Sequence, residues 1–386
     1  MAEEILWAEV DLKAIAHNIC ELRRITNRNS RLMAVVKANG YGHGSVEVAR
    51  CALDNGAEML AVARINEAIL LRKEGIDAPI LVLGYTPPFC YKDILNYDII
   101  QTLFSRQAAE SLSSFAILHK KKIKVHVKID TGMGRLGVLV GCPGEYKNGK
   151  GRQKDAIKEV ESIIRLPGLE PEGIFTHFSM ADSSDKSVTI SQFELFVEFI
   201  TSLKNIGIEF RINHAANSAG IIDMPEMHLD MVRAGIAMYG LYPSEEVKKE
   251  KIFLMPAMTV KSMIVHLKDV PAGFKVSYGA TYETKKPTTI ATVPIGYADG
   301  YNRLLSSRGY MLVCGERVPI AGRICMDHTM LDVGNVGGVK QGDEVVILGK
   351  QKNSDIKADE IAALLGTINY EVVSSLTDRV KRIYIR

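Results

Sequence analysis

The sequence predicts an α/β chain, a (β/α)8 barrel followed by a mostly β domain. Three observations lead there. At 386 residues the chain exceeds the size at which one hydrophobic core stops growing, so two domains are expected. From about residue 31 to 240, short apolar runs alternate with longer amphipathic stretches. After residue 245 helical periodicity nearly disappears, and short alternating segments punctuated by Gly and Pro take over.

The apolar runs fall at residues 32–37, 59–63, 80–84, 99–103, 125–129, 173–177, 210–213 and 231–235. Helical patterns lie between them at 45–55, 65–74, 106–119, 155–166 and 191–206. Continuous apolar runs are the signature of buried parallel strands, with helices as crossovers. Eight such units fit a closed barrel over 11–244 better than an open doubly wound sheet. No GxGxxG follows the first run, which disfavours a dinucleotide site. Over 245–386 strands are predicted at 258–266, 289–294, 310–313, 317–320 and 344–348, with 357–365 as the only helix. Residues 1–10 are strand-like and are assigned to the β domain. The Gly-, Lys- and Arg-rich segment 141–154 is expected to be an exposed inserted loop.

Composition narrows the function classes. The formal charge of +3 offers neither a basic stripe for nucleic acid nor a polybasic membrane patch. No apolar run approaches the roughly 20 residues needed to cross a bilayer. The start, Met1-Ala2-Glu3-Glu4, is acidic where a signal peptide is basic. Cys20, Cys51, Cys90, Cys142, Cys314 and Cys325 show no CxxC pairing and no metal-ligand spacing. The expectation is a reduced, cytoplasmic protein without a metal.

In such barrels the chemistry sits at the C-terminal ends of the strands. Here those positions carry Lys37, then Lys128 with Asp130 and Arg135, then His177, then His214 with Asn217 and Ser218, and then Arg233 with Gly235 and Ile236. A lysine is usually a solvated surface group. Lys37, however, directly follows Leu-Met-Ala-Val-Val, and desolvation disfavours its ammonium, leaving the neutral amine that a Schiff base requires. The glycines after Lys37, with Tyr41, are expected to let the loop approach a ligand. The loops at 214–220 and 233–236 are suited to a phosphate. Arg233 is either a rim ion pair or a partner for a pyridine nitrogen. A guanidinium in the second role leaves that nitrogen unprotonated, which favours brief carbanion chemistry. Together these features suggest pyridoxal phosphate. His43, His214 and His228 are read first as structural histidines.

Several stretches are similar to the bacterial alanine racemases, a pyridoxal-phosphate family with a barrel and a β domain. They include Val36-Lys37-Ala38-Asn39-Gly40-Tyr41-Gly42, Asp130-Thr131-Gly132-Met133-Gly134-Arg135, Val232-Arg233-Ala234-Gly235-Ile236, Val276-Ser277-Tyr278-Gly279, Cys325-Met326-Asp327 and Asn369-Tyr370-Glu371. The resemblance implies that Lys37 carries the cofactor and is one catalytic base. Tyr278 is then the second base, supplied by the partner in a homodimer. It also implies that Tyr41, Ser218, Gly235, Ile236 and Tyr370 hold the phosphate, beside Asn217, while His177 and Arg233 tune the site. Arg135 and the Met326 backbone would take an amino-acid carboxylate, and Tyr297, Asp327 and Tyr370 would narrow the channel. Lys128 matches a lysine often carbamylated in that family; its alternative is a plain lysine paired with Asp130. His328 and the tail 372–380 depart from the family pattern. The expected reaction is racemisation of alanine, supplying D-alanine for peptidoglycan. A broader amino-acid racemase, a decarboxylase and a non-catalytic cofactor carrier are the alternatives.

Overall fold

The computed structural model describes residues 4–141 and 150–386, so most of the loop expected over 141–154 lies outside the described residues. The chain divides into two compact units. One comprises residues up to Ala14, Tyr41–Gly44 and Pro256–Arg386; the other comprises Ile15–Gly40 and Ser45–Met255.

The first strand, β1 (Leu6–Asp11), belongs to the β unit. The barrel strands follow: β2 (Arg31–Val35), β3 (Met59–Val62), β4 (Ile80–Val82), β5 (Ile100–Leu103) and β6 (Ile123–Asp130). A short β7 (Val138–Leu139) extends β6, and β8 (Leu169–Phe175), β9 (Ile212–His214) and β10 (Met231–Ala234) complete the set. All neighbours are parallel, and β10 pairs with β2 while β5 pairs with β6, so the eight-stranded cylinder closes. Each predicted apolar run overlaps one of these strands. They are buried because helices such as Ser45–Asp54 and Ser187–Asn205 supply the crossovers. Leu32, Met33, Leu60, Ile80, Phe175, Phe196 and Phe199 are among its fully buried side chains.

The β unit has its own sheets. Strands β11 (Met258–Met263), β12 (His266–Val270), β13 (Lys275–Val276), β14 (Tyr282–Glu283) and β15 (Thr288–Val293) come first. Then come β16 (Tyr310–Val313), β17 (Glu316–Pro319), β18 (Thr329–Asp332), β19 (Glu344–Gln351), β20 (Ser354–Ile356) and β21 (Lys381–Ile385). β1 lies between β11, antiparallel, and β21, parallel. β12, β15 and β18 form a separate sheet. The strand expected over 258–266 is therefore two strands. Ile264 N–H donates to Asp343 O and Val265 N–H to Thr292 O, passing the chain from one sheet to the other.

Two helices, not one, occur in this region: Ala358–Leu365 and Asn369–Ser374. The second is six residues long, too short to display an amphipathic period, and it carries Tyr370. Among the described residues no helix is long and apolar enough to cross a membrane. Nor does any group of three or more His, Cys, Asp or Glu there form a metal site.

Candidate active site

β2 runs directly into a turn of unusual hand. Ala38, Asn39, Gly40 and Tyr41 have φ of 52°, 51°, 60° and 49°. L-residues avoid this region because Cβ crowds the following carbonyl. Neighbouring groups hold the turn in place. Ala38 N–H donates to Glu67 Oε1 at 2.7 Å, and Asn39 Oδ1 accepts from Ser45 N–H at 3.0 Å. Glu67 Oε2 also accepts from Ala63 and Arg64 N–H, at 2.7 and 2.9 Å. One carboxylate thus ties the start of the Lys37 turn to the end of β3. Burial holds the Lys37 amine below the usual lysine range, and Arg135 adds to the effect while Glu67 opposes it.

At Gly42 and Gly44 the space of a side chain is taken by this chain itself. A Cβ at Gly42 would strike the Val373 carbonyl, and one at Gly44 the Tyr384 hydroxyl. Their missing side chains make room for packing inside the β unit. There the Tyr41 and Tyr370 rings lie 6.1 Å apart.

Arg233 is fully buried at the end of β10, and it is not a rim ion pair. Its Nη1 is 2.9 Å from His214 Nδ1; its Nη2 donates to Thr176 O and Ala215 O and lies 3.1 Å from His177 Nδ1. A guanidinium has no lone pair to accept with, so neither facing histidine nitrogen carries a proton and both rings are neutral; Nη2, with two hydrogens for three neighbours, shares one with His177. Burial pushes the ordinary value of both rings well down, with Arg233 as the next cause. The same desolvation, aided by Arg135, pushes Arg233 down to about 9, which still leaves it charged at neutral pH.

Lys128 lies inside the same barrel, over the face of Phe175 at 5.6 Å from the ring centre. It is pushed down to about 8 by burial, then by Arg135 and Arg233. It does not pair with Asp130 as one alternative had it. Asp130 Oδ1 instead accepts from Gly132, Met133 and Gly134 N–H at 2.9, 2.9 and 3.1 Å, shaping the turn that leads to the exposed Arg135.

At the ends of β9 and β10, Ser218 Oγ accepts from Gly235 N–H at 2.9 Å and from Ala237 N–H at 3.4 Å. Asn217 Oδ1 caps the helix Ser218–Asp223 through Gly220 N–H at 3.0 Å. The two loops are therefore stitched together before any ligand arrives. Gly235 N–H is engaged by Ser218, whose own hydroxyl hydrogen remains a donor, and Ile236 is buried.

The remaining candidates lie on the β unit. Tyr278 is 69% exposed and Met326 53%. The Tyr297 turn is fastened to the Met326 segment by Tyr297 N–H to Cys325 O and Ala298 N–H to Met326 O, both at 3.1 Å. Arg379 bridges Asp327 at 2.8 Å and the buried Asp299 at 3.2 Å. Glu67 and Arg379 escaped the sequence reading. Arg64 and Glu67, three apart before an apolar run, carry a capping-box spacing that could have marked the former; nothing local marks Arg379.

A closed barrel whose strand ends gather a buried lysine, a buried arginine and two neutral histidines defines a barrel enzyme with a strongly desolvated cationic site. Comparison with known proteins makes this specific. The alanine racemase N-terminal domain family matches residues 10–243 and its C-terminal domain family matches 257–384. An alanine racemase of Desulfosudis oleivorans is 55% identical over 378 residues, covering 98% of this chain and 96% of its own. One from Methanococcus maripaludis is 49% identical over the full length of both chains. Among solved structures, alanine racemase from Clostridium difficile 630 superposes with a TM-score of 0.93 at 39% identity, covering 100% of this chain and 97% of its own. Alanine racemase from Bacillus anthracis with bound L-Ala-P gives 0.92 at 38%, covering 100% and 96%. The chain belongs to the alanine racemase family and is an enzyme of it.

Proposed function

We propose that this enzyme interconverts L- and D-alanine with pyridoxal phosphate and works as a cytoplasmic homodimer that supplies D-alanine for peptidoglycan. The observation that carries the proposal is the Lys37 amine, half-buried just past the end of β2 and held below its ordinary range by desolvation. A neutral amine is what covalent capture of a carbonyl cofactor needs.

The residues present fit that cofactor. Lys37 supplies the amine and Ser218 a buried hydroxyl donor between the two joined loops. Tyr41 and Tyr370 supply paired phenols. Arg233 keeps its Nε–H and one Nη1–H without a protein acceptor, enough to donate to a pyridine nitrogen. When bound, the cofactor supplies an electron sink for the negative charge left on the substrate α-carbon.

Inversion requires a proton to leave one face of that carbon and return on the other. Lys37 takes or gives it on one face. Tyr278 of a second copy does so on the other, which gives its exposed ring a purpose. Arg135 and the Met326 backbone N–H orient the substrate carboxylate. Arg233, with His177 accepting from it, favours the tyrosinate form of an approaching phenol by its charge. Tyr297, Asp327 and Tyr370 line the approach. Carbamylation of Lys128, whose value of about 8 leaves roughly a tenth of it neutral at pH 7, would give Arg135 a carboxylate partner.

The test is alanine turnover in deuterated water. Label should enter the α-position of both enantiomers, in a yellow protein whose colour is lost in Lys37→Ala. A colourless protein, or turnover of serine but not alanine, overturns the proposal.

A further inference from the structure

The site side of Arg233 is only half of its environment. His214, which accepts from Arg233, also approaches His126 on β6, with Nε2 3.0 Å from His126 Nδ1. Both rings are completely buried, and His214 is stacked on Phe175 at 4.7 Å with an 11° tilt. Beyond them, His126 Nε2 lies 3.8 Å from Glu172 Oε2, and Glu172 Oε1 meets the exposed Arg211 at 2.9 Å.

Proton bookkeeping makes this chain directional. Arg233 can only donate, so His214 Nδ1 accepts and His214 carries its proton on Nε2. That proton goes to His126 Nδ1, and His126 therefore carries its own on Nε2, facing Glu172. Every N–H along the line points away from Arg233, and the last faces the Glu172 carboxylate across 3.8 Å, beyond hydrogen-bond distance. His214, which the sequence reads first as structural, joins His126 in a link between a buried cation and a remote anion.

The backbone is built around this ending. Val125 pairs with Pro171 and His126 with Gly173, so Glu172 is the extra residue of a β-bulge between β6 and β8. Bulges re-aim a side chain out of the regular alternation. At Gly173 a Cβ would sit 2.6 Å from the His126 ring, so only glycine leaves the ring its place. Bulge, glycine and carboxylate occur at three consecutive positions beside one buried imidazole.

We propose that Glu172 is a positioning residue for Arg233, acting through His126 and His214 as the facing negative charge that keeps both rings protonated on Nε2. Without it, the buried His126 N–H, which has no hydrogen-bond partner among the described residues, would also lose the carboxylate charge it faces, and turning the ring would break its bond to His214. His126 also holds Glu172 below the usual carboxylate range, with Arg211 contributing, so the carboxylate is charged at neutral pH. The consequence for catalysis rests on the role proposed above for Arg233; the tautomers do not.

Histidine-selective 15N NMR on the full-length protein tests this, with racemase kinetics alongside. The native protein should show His126 and His214 both protonated on Nε2. Glu172→Met should move the His126 signal to the other tautomer and shift that of His214. It should lower kcat on the order of tenfold, the size of one lost interaction with a charged group beside a buried ring, with KM little changed. Glu172→Gln, which keeps an oxygen dipole facing His126 but not the charge, should retain native tautomers and more of the rate than Glu172→Met. The other tautomer on either ring of the native protein overturns the proposal, as do native spectra and native kcat in Glu172→Met. If Glu172→Met does not fold, the native tautomers and the Gln variant decide. Absence of any racemase activity in the native protein counts against the proposed function, and the tautomers are then judged alone.

Discussion

Glu67 accepts the backbone N–H of Ala38 at 2.7 Å, so the residue directly after Lys37 is held by a carboxylate thirty positions further along the chain than Lys37 itself. The same group caps Ala63 and Arg64, which places three backbone donors on one side chain. Glu67→Gln keeps the shape but turns an amide nitrogen toward N–H groups. Its expected cost is about 1 kcal/mol of stability in urea unfolding, the scale of a lost hydrogen bond at a half-buried side chain. Its loss of charge also removes the influence that raises Lys37, so the amine stays neutral to lower pH. Cofactor uptake by the apoprotein should then extend to lower pH, measured by the growth of visible absorbance.

Ala38 tests the strain itself. At φ 52° it is in the left-handed region, which costs an L-residue about 1–2 kcal/mol. Glycine relieves this but loses more chain entropy on folding, so Ala38→Gly should gain about 0.5–1 kcal/mol in denaturant unfolding. A loss of stability would mean that the methyl group is packed rather than strained.

Tyr278→Phe separates the two faces of the reaction. Exchange of the α-hydrogen should persist from the enantiomer served by Lys37 and fall by about 10²–10⁴-fold from the other, the usual contribution of a positioned base. Equal, mild loss from both would contradict two bases. Mixing Tyr278→Phe with Lys37→Ala and letting subunits exchange should restore roughly a quarter of native activity, since half the dimers then hold one intact shared site.

Lys128 predicts a pH dependence of stability. Its folded value of about 8 is below the ordinary 10.5, so the folded state binds the proton less well than the unfolded chain does. Stability should therefore rise with pH between about 8 and 10.5 and level off above, by up to about 3 kcal/mol for an unmodified side chain. Lys128→Met should flatten that slope. Mass spectrometry of the intact protein should find added carbon dioxide if the carbamate forms; a modified population would weaken the slope.

The barrel was legible because its strands are continuous apolar runs long enough to fix their type, and strand ends place Lys37, His177 and Arg233 without further information. The helix Asn369–Ser374 was missed because six residues carry no period, and the split between β11 and β12 because a change of sheet leaves no mark on alternation. What faces Gly42 and Gly44 was not legible for a related reason. A missing side chain states that something is close, but not what, and here it is Val373 and Tyr384.

The sequence by itself determined the barrel's strand count, the placing of Lys37 and Arg233 at strand ends, and the likeness in motifs, since all three follow from local patterns of apolar and polar residues. Tertiary structure alone decided what those groups touch. Glu67 reaches the Lys37 turn from the next crossover, Arg379 joins Asp327 to Asp299, and Glu172 reaches Arg233 through two histidines. Hydrogen bonds between residues far apart in the chain depend on which strands become neighbours when the cylinder closes, and no local pattern encodes them.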